Sequence, residues 1–159
     1  MKYVFFALSL CFCTFLQAAD VDRVVVDKSK HRLLLLNGDT RVREFSVAFG
    51  GEPQGHKQQE GDQKTPEGLY ILDYKKADSA FYKAIHISYP NAEDKAHAAK
   101  KGVDPGGFIM IHGQKNGFGF LAPIMQLFNW TDGCIALSNK DMEDLWNLVQ
   151  VGTPIQINP

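Results

Sequence analysis

The sequence has few cysteines and almost no excess charge, and each shortage excludes a class of protein. The chain has 159 residues and three cysteines, and Cys11 and Cys13 lie in an apolar segment at its start. If that segment is removed, Cys134 has no partner within the chain, which excludes a disulfide framework. The 17 basic and 18 acidic side chains nearly balance. A nucleic-acid partner is therefore not expected, because such proteins normally carry a basic surplus.

The sequence also lacks an apolar run of membrane-spanning length, which takes roughly 20 residues. Its longest run, Tyr3–Leu16, follows Met1-Lys2 and precedes a small residue, Ala18. This order of a basic start, an apolar stretch and a small residue is typical of a secretory signal peptide. We therefore expect residues 1–18 to be a signal peptide, with no stable membrane span. The expected location is across the inner membrane, in the periplasm if the cell has an outer membrane.

The remaining residues, 19–159, are expected to form one domain that is mainly β with a few helices. Alternating or continuous apolar residues predict strands, and Asn37-Gly38 between two of them predicts a hairpin. Helix-capping residues and glycine stops predict three helices. The predicted strands are Val21–Asp27, Arg32–Leu36, Arg41–Phe49, Leu69–Tyr74, Ala84–Tyr89, Phe108–Ile111 and Pro154–Ile157. The predicted helices run from Asn91 to about Lys101, over roughly Ala122–Phe128, and from Ser138 towards Gly152.

One long polar segment, Gly50–Lys64, separates the predicted strands. It contains four glycines and, apart from Pro53, no apolar residue, so we expect a surface loop. Loops of this length in a compact domain are often functional. Whether this loop closes over a ligand stays open.

The strongest local candidate for chemistry is the turn that contains Cys134. Gly133 permits a tight backbone, and successive N–H groups there could stabilise an oxyanion. A thiol beside such donors is a plausible nucleophile if a histidine activates it. The alternative is a small buried side chain, because cysteine is among the most buried residue types and apolar residues follow it.

His112 is the natural partner of the thiol, because it ends an apolar strand and Gly113 lets the chain turn away. A structural histidine bonded to the backbone is the alternative. His86 lies between two isoleucines, where it could face a pocket or simply be half-exposed. No metal site is expected, because the histidines lack ligand spacing. Among the nearby aromatic residues, Trp130 is the better candidate for a substrate cleft and Tyr89 a weaker one.

Three motifs occur together in a recognisable order: Thr65-Pro66-x-Gly68, His112-Gly113 and Thr131-x-Gly133-Cys134-Ile135. Together they resemble the YkuD-type L,D-transpeptidases, whose usual signature is a His-Gly followed by Ser/Thr-x-Gly-Cys-Ile/Val-Arg. The resemblance covers roughly Val21 to Asn158. It implies a β-sandwich-like catalytic domain that needs no metal or organic cofactor.

The resemblance also implies roles for individual residues. Cys134 would attack the L-to-D bond of a peptidoglycan stem peptide, and His112 would accept and return the proton. The Gly113 carbonyl would orient the imidazole. Backbone N–H groups around Asp132, Gly133 and Cys134 would bind the oxyanion. The substrate-binding candidates are Trp130, Thr131, His86 and Tyr89.

The sequence departs from the family pattern at three places. Ala136 replaces the usual Arg, and Asp132 replaces the usual His before Gly133. The insert Gly117–Phe128 lengthens the segment between His112 and Cys134. A transpeptidase is the main expectation, with a stem peptide as the expected partner and a wall-anchored protein as a further candidate. An L,D-carboxypeptidase or a hydrolase that releases wall-linked protein stays open, as does a non-catalytic wall-binding module. The oligomeric state also stays open.

Overall fold

The structure is a computed structural model that describes residues 20–159, which form eight strands and three α-helices. The predicted signal peptide lies outside the described residues and stays a prediction. The strands are β1 (Arg23–Asp27), β2 (Arg32–Asn37), β3 (Thr40–Ser46), β4 (Gly68–Lys76), β5 (Ala84–Ile87), β6 (Met110–His112), β7 (Ile135–Ala136) and β8 (Pro154–Asn158). The helices are α1 (Ala92–Lys101), α2 (Ala122–Met125), which follows a 3₁₀ turn at Gly119–Leu121, and α3 (Asn139–Leu148).

The eight strands form one sheet in the order β3-β2-β1-β8-β4-β5-β6-β7. The sheet curls until its two ends meet, because Ala48, just after β3, exchanges backbone hydrogen bonds with Ala136 in β7. Most neighbouring strands are antiparallel, whereas β8 pairs with β1, and β7 pairs with β6, in parallel. The prediction of a mainly β domain with a few helices is therefore confirmed.

The core lies inside the curl and follows from the alternation of side chains along each strand. In β1 and β2, Val24, Val26, Leu33 and Leu35 are fully buried, and the residues between them are partly exposed. Residues two apart on a strand share a face, so this alternation directs one face inward. Burying each such side chain stabilises the fold by about 1.5–3 kcal/mol.

The two longer helices begin and end where their capping residues indicate. The Asn91 side chain accepts hydrogen bonds from the backbone of Glu93 and Asp94, and Gly102 ends α1 in the left-handed conformation. Ser138 accepts from the Asp141 N–H at the start of α3. Each cap satisfies an N–H or C=O group that the helix itself leaves unpaired.

Several predicted elements differ from the structure in their bounds or in their presence. The strand expected from Phe108 begins at Met110, because Phe108 has a φ of 55° that breaks the extended run. The strand expected to reach Phe49 ends at Ser46, after which single backbone bridges continue. The two-residue strand β7 was not predicted, because so short a segment shows no periodicity.

The polar segment Gly50–Lys64 contains neither a helix nor a strand, as expected, but it is not entirely at the surface. Lys57 is only 3% exposed, and its ammonium pairs with Asp62 at 2.8 Å and donates to the Gln59 carbonyl. Lys28, from the end of β1, donates to the Gly55 carbonyl at 2.8 Å. A buried ion pair and the hydrogen bonds of two buried lysines therefore hold this loop, which its polarity alone did not indicate. Among residues 20–159 no helix is long and apolar enough to span a membrane.

Candidate active site

The turn before Cys134 depends on Gly133, which has a φ of 119°. A Cβ atom at this position would lie 2.5 Å from the Lys64 carbonyl oxygen. The loop that ends at Lys64 therefore packs directly against the backbone of the Cys134 turn. Only glycine permits both the backbone angle and this close approach.

Gly133→Ala is expected to destabilise the domain by more than about 2 kcal/mol, since it adds a backbone clash to an unfavourable φ. Gly117→Ala is the matched control, because Gly117 also has a positive φ but a Cβ there meets no atom within 4 Å. Thermal unfolding of both variants measures the difference. Equal losses in the two variants would contradict the role of the contact with Lys64.

The Thr131 side chain stabilises the same turn through two hydrogen bonds. Its hydroxyl donates to the Cys134 carbonyl at 2.7 Å and accepts from the Gly133 N–H at 3.2 Å. Thr131 is buried, so its position favours support of the turn over the substrate contact that the sequence predicted. The Gly133 N–H is therefore already paired. The other two N–H groups of the turn, those of Asp132 and Cys134, have no acceptor among residues 20–159.

The Cys134 thiol lies against the backbone that leads into β6. Its Sγ accepts from the Met110 N–H at 3.4 Å and donates to the Phe108 carbonyl at 3.7 Å. The side chain is half-buried and forms no disulfide within residues 20–159. These contacts hold the sulphur beside a sheet strand and still leave part of it accessible.

His112 ends β6 and is only 5% exposed. Its Nδ1 lies 2.6 Å from the Gly113 carbonyl oxygen. Because a carbonyl only accepts, Nδ1 carries the hydrogen, and the Nε2 lone pair of the neutral ring stays available as a base. A Cβ on Gly113 would lie 2.7 Å from the Tyr82 carbonyl, so glycine is needed at this turn as well.

The sheet register brings the thiol and the imidazole to one face. Ile111 pairs with Ile135 in parallel, and both face the core. His112, which follows Ile111, and Cys134, which precedes Ile135, therefore lie together on the opposite face of the sheet. The thiol hydrogen-bonds to the backbone of Phe108 and Met110 in this structure and not to His112.

Burial sets the charge state of both groups. It raises the pKa of the Cys134 thiol, the Met110 N–H lowers it, the Asp132 carboxylate raises it further and the Lys57 ammonium lowers it. Burial lowers the pKa of His112, and the bond to Gly113 partly offsets this. The resting pair is therefore a neutral thiol and a neutral imidazole.

Aromatic rings enclose the imidazole on the side away from the sheet. Trp130 packs edge-on against His112 with ring centres 5.8 Å apart, and its buried Nε1 has no hydrogen-bond partner among residues 20–159. Phe81 lies nearer, at 4.4 Å, although nothing in the sequence singles it out. Its short segment has no periodic pattern, and the bridge to Lys115 and the backbone hydrogen bonds of Tyr82 with Gly113 and Gln114 place it here.

The other two substrate-binding candidates lie in different places. His86 faces the same side of the sheet as His112, because Ala84 pairs with His112 and His86 pairs with Met110. Tyr89 is 3% exposed, and its hydroxyl donates to the Pro105 carbonyl. This position favours a packing role for Tyr89 in place of the predicted substrate contact.

The position of the family's usual Arg is fully buried here. Ala136 pairs with Ala48 on one side and with His112 on the other, and Gln126 from the insert donates to its carbonyl at 3.2 Å. A long charged side chain would have to displace these neighbours. Within residues 20–159, no three His, Cys, Asp or Glu side chains form a group that could hold a metal ion.

The fold and the site together define a class of protein: a curled-sheet domain that presents a cysteine and a histidine at one sheet face. Residues 21–157 match the YkuD family, described as an L,D-transpeptidase catalytic domain. The chain therefore belongs to this family.

Individual relatives agree with this assignment. YafK of Escherichia coli K12, provisionally named an L,D-transpeptidase, is 35% identical over 97 residues, which cover 60% of this chain and 32% of YafK. A point variant of the helical cell shape determining protein Pgp2 from Campylobacter jejuni has a TM-score of 0.68 at 28% identity, covering 87% of this chain and 47% of that one. An L,D-transpeptidase from Xylanimonas cellulosilytica shares the fold, with a TM-score of 0.57 at 18% identity over 89% of this chain and 62% of that one. The chain thus spans about a third of YafK and about half of Pgp2.

Proposed function

We propose that this domain is a peptidoglycan L,D-transpeptidase that uses Cys134 as nucleophile and His112 as general base and acid. The observation that carries the proposal is the sheet register that places both side chains on one face, combined with the family match over residues 21–157. The substrate is a stem peptide, cleaved at the bond between an L- and a D-centre.

Activation begins from the neutral pair. When the Cys134 side chain rotates from the Phe108 carbonyl towards His112, Nε2 accepts the thiol proton and Sγ attacks the peptide carbonyl. The Gly113 carbonyl holds the Nδ1 hydrogen and stabilises the imidazolium that forms. The N–H groups of Asp132 and Cys134 are the donors available to the developing oxyanion.

Collapse of the tetrahedral intermediate breaks the carbon–nitrogen bond, and His112 returns its proton to the leaving amine. The product is a thioester between Cys134 and the shortened stem peptide. An incoming amine then attacks the thioester, transfers its proton to His112 and releases the thiol. Water in place of the amine would give hydrolysis through the same steps.

Mass spectrometry of the products from purified tetrapeptide muropeptides tests the proposal. A transpeptidase is expected to produce cross-linked dimers that have lost one terminal D-residue. Shortened monomers alone would identify a carboxypeptidase. Unchanged substrate, from a protein that is folded by circular dichroism, would contradict both reactions.

Alkylation of Cys134 by iodoacetamide is expected to accelerate with increasing pH, with a midpoint above the ordinary thiol value of about 8.5, because burial raises the thiol pKa. Asp132→Asn should move this midpoint down, since the carboxylate disfavours the thiolate. Asp78→Asn, which removes an exposed charge elsewhere, should leave it unchanged. A midpoint below neutral pH would contradict the neutral resting pair, and complete resistance of the folded protein would favour a binding module.

Export is part of the same proposal, because peptidoglycan lies outside the inner membrane. The basic and apolar pattern of residues 1–18 supports it. Intact-mass measurement of the protein from its natural host should show loss of these residues, and a retained amino terminus would contradict removal of a signal peptide.

A further inference from the structure

A β-bulge in β4 directs two side chains onto His86. Leu72 pairs with Ile87 and Tyr74 pairs with His86, so Asp73 is the extra residue between them. A bulge of this kind redirects side chains and often lies beside a functional site. Here the Asp73 carboxylate lies 2.6 Å from His86 Nδ1, and the Tyr74 ring stacks on the imidazole at 4.5 Å.

Asp73, Tyr74 and His86 lie on the same sheet face as the thiol and close to it. His86 pairs with Met110, whose N–H donates to Cys134 Sγ on the opposite side of β6. Neighbouring strands are about 4.8 Å apart, and β6 lies between His86 and Cys134. Two strand spacings therefore separate His86 from the Cys134 position, which is roughly 10 Å. Phe108 links the two sites, because its carbonyl accepts from the thiol while its ring lies 6.5 Å from the His86 ring.

The Asp73 carboxylate is the acceptor of this group, because its short contact with Nδ1 places a hydrogen on that ring nitrogen. The second carboxylate oxygen of Asp73 is also an acceptor, and this side chain is 40% exposed. Phe108 is 79% exposed and Tyr74 39%, so their rings are accessible beside these acceptors.

A carboxylate and accessible aromatic rings both favour a cation. We infer that Asp73, Tyr74, His86 and Phe108 form a subsite for a primary ammonium on the donor stem peptide. The inference rests on the proposed function and adds a specificity determinant to it. An ammonium at the end of a lysine-type side chain, on the residue whose carbonyl Cys134 attacks, would extend over Met110 towards this subsite.

The test compares two tetrapeptides that differ only in this side chain, one with a free amine and one with the amine acetylated. The wild-type protein is expected to convert the free-amine peptide with a kcat/KM about tenfold higher, since one charge-assisted contact at a partly exposed carboxylate is worth about that factor. Asp73→Asn should reduce this ratio to near one, mainly by slowing the free-amine peptide. His86→Gln should act in the same direction.

The matched control is Asp78→Asn, which removes the same charge from a side chain that is 90% exposed and pairs with Lys76. It should preserve the tenfold ratio. Equal conversion of the two peptides by the wild-type protein would overturn the subsite, even though conversion itself would support the proposed function. An equal loss on both peptides in Asp73→Asn would also overturn it, because that result indicates a structural role.

Binding to the Cys134→Ala protein provides a measurement that does not depend on turnover. In an NMR titration, the free-amine tetrapeptide should shift the His86 ring resonances and bind about tenfold more tightly than the acetylated peptide. Equal affinities, or binding that leaves the His86 ring unaffected, would overturn the inference.

Discussion

Cys134→Ala is expected to abolish conversion of tetrapeptide muropeptides, with kcat reduced by roughly 10⁴-fold or more. The reaction as proposed passes through a thioester on Sγ, and alanine offers no atom that could form one. The loss should appear in kcat rather than in substrate affinity, because the bound peptide loses only its covalent partner. Turnover kinetics measure the loss in kcat, and a binding titration with the intact peptide measures the retained affinity.

The fold of this variant should be nearly unchanged. Within residues 20–159 the thiol makes two long hydrogen bonds, to Met110 and Phe108, and its removal affects a half-buried position rather than the core. A thermal unfolding midpoint close to that of the wild type would separate loss of chemistry from loss of structure. Substantial activity in folded Cys134→Ala would rule out the proposed nucleophile.

His112→Gln is expected to lower kcat by roughly 10³-fold, because thiol activation and protonation of the leaving amine both use this imidazole. Glutamine can still donate to the Gly113 carbonyl, so the turn keeps its hydrogen bond while the base is removed. The variant should also alkylate more slowly with iodoacetamide at neutral pH. Measuring kcat and the alkylation rate together distinguishes lost proton transfer from a disturbed backbone.

His97→Gln is the matched control for this substitution. His97 is exposed on α1, so its replacement should leave both rates unchanged. If His112→Gln retained near wild-type kcat, another group would have to accept the thiol proton. The aromatic rings of Phe81 and Trp130 around His112 offer none.

The parts of the site that could be predicted are those that depend on residues close together in the chain. Gly133 before Cys134 predicts a tight turn, and Gly113 after His112 predicts that the chain leaves the strand at once. Both predictions rest on backbone angles, which the residue and its immediate neighbours determine. The caps at Asn91 and Ser138 could be predicted for the same reason.

The parts that could not be predicted depend on residues distant in the sequence. The bulge at Asp73 exists only in relation to β5, and the ring of Phe81 reaches His112 through a bridge to Lys115. Lys57 shows the same limit, because a charged residue in a polar segment is buried only where a partner such as Asp62 is brought to it. No local pattern reports such pairings.

Local sequence was enough to predict a mainly β domain, its capped helices, and the glycine turns beside Cys134 and His112. The structure was needed to show that β6 and β7 pair in parallel, that the thiol contacts Phe108 and Met110, and that burial disfavours the charged forms of both reactive groups. Pairing register and burial are properties of the packed chain and not of any one segment. Burial changes the pKa of Cys134 and of His112, and that burial depends on all the residues packed around them.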